Sequence, residues 1–247
     1  MLFIIPTPIG NLKDITLRAL EALKEVDAMI CEDTRRTSLL LNHYQIFSRH
    51  SREGGNPIKI PLLVLNDYNE TKALESIIEQ LKSGQNLALI SDAGTPLISD
   101  PGYKLVRECI AQNIPVDSLP GPSSVITALT LSGLPPDKFL FVGYPPEKSG
   151  HRINWLNSLK PDRHSELVSE SIDKRSRNKF GMTVIMFVSP HKLLKNLEDM
   201  KEVFGDIEIV LAHELTKVHQ SIEKKTINEW LETLKNPKGE YILLFNI

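Results

Sequence analysis

"LISDAGTPLISDPGYKL", residues 89–105, decides how the chain is read. An apolar run ends on Asp92. Gly94, Pro96, Pro101 and Gly102 then punctuate residues 93–102, and helical periodicity resumes after them. Strand, loop and helix in succession form the unit of an α/β fold, and the unit recurs on both sides of this stretch. "LFII" (2–5), "AMIC" (28–31), "LLVL" (62–65), "NLALIS" (86–91) and "IPVDSL" (114–119) read as strands, with helical patterns between them. Strands that are apolar throughout belong to a sheet buried on both faces, so a mainly parallel sheet is expected.

After "LPGPSSVITALTLSG" (119–133) the pattern changes. "KFLFVGY", "TVIMFV", "IEIVLA" and "GEYILLFNI" read as strands with longer connections, and only two clear helices lie among them, near 191–200 and 226–234. The expectation is two α/β domains, 1–119 and 120–247, the second with a mixed sheet. Residues 47–61 and 160–181 are polar, lack periodicity and share an Arg-His-Ser run, and they read as loop insertions.

Composition excludes several classes. A net charge of −2 over 247 residues gives no broad basic surface, so a nucleic acid would have to meet a local patch. No apolar run reaches membrane-spanning length. Cys31 and Cys109 lie in apolar surroundings without metal-like spacing, the pattern of buried free thiols in a reducing cytoplasm. None of the seven histidines is spaced with another for a metal, and no metal site is assigned.

Three loops remain. "PTPIGNLKDIT" (6–16) follows the first strand, with Asp14 or Thr16 able to cap the next helix. It stands where a dinucleotide fingerprint would, with Glu32 or Asp33 where the ribose-binding acid would be, but one glycine replaces three. The second loop is the opening stretch, and the third is "LPGPSSVIT" (119–127). Each alone reads as ordinary capping and turn chemistry. Three at strand ends, where helix N-termini leave N–H groups free, point to a surface contoured for a small molecule.

On "PTPIGNLKDIT", "CEDTRRTSLLL", "SDAGTPLISDPGYKLV", "LPGPSSVITALTLSGLP" and "ELTK" (214–217), the chain resembles the class III, tetrapyrrole-methylase-like methyltransferases, and among them the RNA-modifying branch. The resemblance implies S-adenosylmethionine as cofactor, held in a cleft between two domains, and a homodimer. It implies methylation of the ribose 2′-hydroxyl of a cytidine in 16S rRNA, within the small ribosomal subunit. Carried over, Pro8 and Gly10 would line one side of the cofactor, Asp92, Ala93, Gly94 and Thr95 its middle, and Ser123 and Ser124 the far side. Val188 stands where the family usually has an acid, Lys192 and His213 where it usually has arginine. These departures leave open a cofactor-binding protein without turnover, and the fold leaves open a tetrapyrrole or protein side-chain acceptor.

A 2′-hydroxyl is a weak acid, so a base could assist the transfer. Asp33, Glu214 and Lys217 are the candidates, with a capping acid and a surface ion pair as their ordinary readings. Arg35 and Arg36 suit phosphate. With Lys13, Arg18, Lys148, Arg152, Lys192 and Lys217 they are candidates for a local basic rim.

Overall fold

The structure is a computed structural model that describes residues 1–46, 48–49, 58–66, 69–160 and 181–247. It divides into two compact units, Met1–Ser123 and Ser124–Ile247, so that the Pro120–Ser123 turn goes with the first.

In the first unit, β1 (Leu2–Ile5), β2 (Ala28–Cys31), β5 (Leu62–Val64), β6 (Leu87–Ile90) and β7 (Val116–Ser118) form a sheet ordered β5-β2-β6-β1-β7. All of its pairings are parallel. Helices α1 (Leu17–Glu25), α2 (Thr34–His43), α3 (Glu70–Lys82) and α4 (Tyr103–Ala111) cover it. Alternate residues of each strand face opposite ways, so continuous apolar strands supply two cores. Leu2, Ile30, Leu87 and Leu89 pack with Ile77, Leu81, Leu105 and Cys109 on one side. Ile5, Met29, Ala88 and Ile90 pack with Ala19, Leu23 and Leu41 on the other. Burial raises both thiols, Cys109 to about 11, which leaves them inert packing groups.

The expected insertions at 47–61 and 160–181 lie mostly outside the described residues. Within the first, β3 (Ser48–Arg49) and β4 (Ile58–Lys59) pair antiparallel, so this part is a ribbon rather than an irregular loop.

The second unit starts with α5 (Ser124–Leu131) and has a mixed sheet. Its strands β8 (Phe139–Phe141), β9 (Thr183–Val188), β10 (Glu208–His213), β11 (Ser221–Thr226) and β12 (Tyr241–Asn246) are ordered β11-β10-β12-β9-β8. Only the β8–β9 pairing is parallel. Helices α6 (Ser149–Ser158), α7 (Leu193–Phe204) and α8 (Ile227–Thr233) accompany it. The sequence reading missed α6 and β11. The inner face of α6 carries the buried Arg152 beside Leu156, which blurs its apolar period, and β11 ("SIEKKT") is a charged edge strand. Helix α8 starts on a capping box, with Thr226 and Glu229 bonded reciprocally.

Candidate functional site

The three loops leave the C-terminal ends of β6, β1 and β7, which are neighbours in the first unit's sheet. The sequence had placed them at strand ends, and the sheet order sets them side by side. Thr7 and Gly94 exchange both backbone hydrogen bonds at 2.9 Å, joining the first two loops. The Thr7 hydroxyl donates to the Ser91 carbonyl at 3.0 Å, and the Ser91 hydroxyl donates to the Gly94 carbonyl at 2.8 Å. Thr95 Oγ1 donates to the Pro122 carbonyl at 2.8 Å and so ties in the third loop.

Two glycines allow the loops to lie this close. Gly94 holds φ +86° with Ile9 3.2 Å from where a Cβ would stand, and a Cβ on Gly121 would meet Pro6 at 2.7 Å. Gly94 therefore serves contact between the loops. Beyond it Leu97 (φ 72°) and Ser99 (φ 67°) hold left-handed backbone, which costs roughly 1–2 kcal/mol per non-glycine residue. Of the other expected cofactor residues, Gly10 and Ala93 are exposed, Pro8 is buried, and Ser123 and Ser124 are half-buried.

Helix α2 opens on Asp33, whose carboxylate accepts from the Arg35 amide at 2.8 Å and from Arg35 Nε and Nη2 at 3.1 and 2.8 Å. The Arg35 hydrogen bonds hold the Asp33 carboxyl down at about 2. Asp33 is thus a cap and arginine clamp with little basicity, which argues against its expected catalytic role. Arg36 Nε lies 3.4 Å from Asp92 Oδ2, and the arginine side chain is 65% exposed. Asp92 Oδ1 is buried and receives no hydrogen bond from any described residue. Burial raises the Asp92 carboxyl above its ordinary range, against the opposing pull of Arg36 and the Asp33 amide.

Between the first loop and α2 lies a recess of about 250 Å³, lined by Pro8, Leu12, Arg36, Thr37, Leu39, Leu40, Ser91 and Asp92. Tyr44, which ends α2, donates its hydroxyl to the Leu12 carbonyl and fixes one wall. Leu39 and Leu40 escaped the sequence reading because a leucine run on a helix reads as core, and Leu12 because it stands alone in a loop. Thr37 beside them is polar yet only 4% exposed, which no sequence pattern announces.

Residues 1–230 match the family described as Tetrapyrrole (Corrin/Porphyrin) Methylases. The chain belongs to that family. Curated relatives named "Ribosomal RNA small subunit methyltransferase I" include those of Thermotoga maritima and Escherichia coli O157:H7. The first is 40% identical over 99% of this chain and 97% of the relative, the second 42% over 98% and 76%. A solved diphthine synthase shares the fold at 13% identity (TM-score 0.65, 99% of this chain and 89% of that one). So does the methyltransferase CobJ at 15% (TM-score 0.63, 99% and 93%). The chain is a methyltransferase.

In this methylase the other catalytic candidates sit in the second unit, in the turn after β10. Glu214 Oε1 accepts from Lys217 Nζ at 3.1 Å and from the Glu240 amide at 2.8 Å. Lys217 Nζ also donates to Glu240 Oε2 at 2.9 Å. Burial disfavours the Glu214 anion, but the Glu240 amide and Lys217 outweigh it and hold the carboxyl low. Burial likewise opposes charge on Lys217, yet Glu240 and Glu214 keep the ammonium protonated above its usual range. A lowered carboxyl and a raised ammonium make poor bases, so this geometry is that of a satisfied ion pair.

The methylase also corrects the basic rim. Arg152 is 1% exposed and locked on Asp199, Arg18 is paired with Asp117, and Lys192 with Glu147. Val188 is 2% exposed in the core beside Leu193 and Leu197, where a carboxylate would need a buried partner. His213 stacks on Tyr241 at 4.3 Å, with Nε2 2.8 Å from the Lys238 carbonyl. Among the described residues no group of three or more His, Cys, Asp or Glu is placed to hold a metal ion, and no helix is long and apolar enough to cross a membrane.

Proposed function

We propose that the protein transfers the methyl group of S-adenosylmethionine to the ribose 2′-hydroxyl of a cytidine in 16S rRNA of the small ribosomal subunit. We take it to act in the cytoplasm as a homodimer. The observation that carries this reading is the bonding of three loops, at the ends of three adjacent strands, into one surface beside two exposed arginines. The names of relatives at 40% identity and above support the ribosomal RNA substrate.

The loops suit the cofactor in kind. Exposed small residues, Gly10 and Ala93, let an extended ligand approach the backbone, and the bridge between Thr7 and Gly94 holds that backbone rigid. Pro8, Gly10, Ala93, Gly94, Thr95, Ser123 and Ser124 would hold S-adenosylmethionine. Bound there, it supplies a sulfonium methyl and leaves as a neutral thioether. The chain's contribution is alignment and exclusion of water, which can provide most of the acceleration when the reactant is already activated. Arg35 and Arg36, exposed on α2, are the groups for phosphates of the RNA.

Mass mapping of 16S rRNA from cells with and without the gene tests the reading. One ribose methyl should vanish with the gene and return with it. An unchanged pattern would overturn the proposal.

A further inference from the structure

Asp33, Glu214 and Lys217 are each tied to a partner of opposite charge, so none of these three is left as the proton acceptor of the proposed transfer. The recess against α2 contains one. Asp92 stands where β6 ends, its side chain 20% exposed, with Oδ2 facing Arg36 and Oδ1 without a donor. A buried carboxylate oxygen with no donor costs the anion free energy, so the carboxylate that carries it takes up a proton more readily than an ordinary one. The wall around it is half apolar, from Pro8, Leu12, Leu39 and Leu40, and half polar. Its volume of about 250 Å³ is just below the usual range for small-molecule sites and suits a single nucleoside. At its edge the exposed Arg36 offers charge to a phosphodiester, which a ribonucleotide carries and a neutral metabolite does not.

We propose that this recess is the acceptor site, where the ribose 2′-hydroxyl of the target nucleotide donates to the partly exposed Asp92 carboxylate while Arg36 holds an adjoining phosphate. The inference rests on the function proposed above and assigns its substrate side. As the 2′-oxygen bonds to the methyl carbon, the carbon–sulfur bond of S-adenosylmethionine breaks. Its electron pair stays on sulfur, and the hydroxyl proton passes to the Asp92 carboxylate. Arg36 couples the two events, because a phosphate that draws on its charge leaves Asp92 more basic. The charged and titratable groups facing Asp92 are Arg36 on α2, Asp33 at its cap, Cys31 at the end of β2 and Asp100 in the following loop. The assignment takes Asp92 out of the cofactor set in which the resemblance places it.

Asp92→Asn keeps the shape and removes the base. With small subunits from cells lacking the gene and labelled S-adenosylmethionine, single-turnover transfer should fall about 10²–10⁴-fold. The wild-type rate should rise with pH through one ionisation that the variant lacks. Calorimetric affinity for S-adenosylhomocysteine should be unchanged in both. Leu39→Trp, at a 70% exposed position on the mouth, should block the recess, weaken subunit binding and spare S-adenosylhomocysteine. Wild-type speed in Asp92→Asn would overturn the inference, as would a parallel loss of S-adenosylhomocysteine binding, which would return Asp92 to the cofactor. A wild-type protein that methylates no subunit would instead refute the function proposed above.

Discussion

Arg152–Asp199 in the second unit and Arg36–Asp92 in the first are both arginine–aspartate pairs, built for different ends. In the second, Arg152 is 1% exposed and Asp199 6%. Arg152 Nε donates to Asp199 Oδ2 at 2.6 Å, Ser149 donates to Oδ1 at 2.7 Å, and Arg152 Nη1 reaches the carbonyls of Pro146 and Glu147. Both carboxylate oxygens are satisfied and the guanidinium is out of water. In the first unit Arg36 and Asp92 stand 3.4 Å apart, the arginine is mostly in solvent, and one oxygen has no donor. A carboxylate with both oxygens satisfied holds a fold together, whereas one with an oxygen that has no donor is poised to take a proton.

The largest effect should come from breaking the closed pair. Arg152→Met strands a buried carboxylate and should cost about 3–5 kcal/mol in urea unfolding. Trp155 and Trp230 both belong to the second unit, so tryptophan fluorescence follows that unit. A loss below about 1 kcal/mol would mean that Asp199 finds other donors, and the contrast between the pairs would weaken.

A smaller effect tests the acid cluster behind Asp92. Burial, then Glu32 and Asp92, push the Asp100 carboxyl from 3.8 up to about 6. Between those values the folded chain keeps a proton that the unfolded chain has lost, so stability falls as pH rises through the window. Asp100→Asn should therefore stabilise the first unit above pH 6, by at most about 3 kcal/mol, and the gain should vanish below about pH 4. Calorimetric melting of both proteins across this range measures it, and a gain that grows toward acid would have the wrong sign.

The smallest effect belongs to the open pair. Arg36→Met should change stability by less than about 1 kcal/mol, because an exposed ion pair contributes little. Its affinity for small subunits should fall and lose part of its salt dependence. An Arg36→Met protein as unstable as Arg152→Met would show the two pairs to be alike.

Much of the first unit was legible because its strands are apolar from end to end and its helices carry regular apolar stripes. Signals failed where a polar residue does structural work. Arg152 reads as surface charge until α6 folds it onto Asp199, and "SIEKKT" shows no apolar face because β11 lies at a sheet edge. The site divided in the same way. Loop positions were readable from proline and glycine after strands, but which acid is spent on a neighbour and which is free was not. That depends on distances such as those of Arg35 to Asp33 and Lys217 to Glu214.

The sequence by itself determined the alternation of strands and helices, the buried thiols, the punctuated loops and the motifs of the family, since each comes from local composition and spacing. Only the tertiary structure decided that β6, β1 and β7 are neighbours, that Gly94 packs against Ile9, and that Asp92 retains an oxygen without a donor. Sheet order and hydrogen-bond satisfaction are relations between residues far apart in the chain, and no local pattern encodes them.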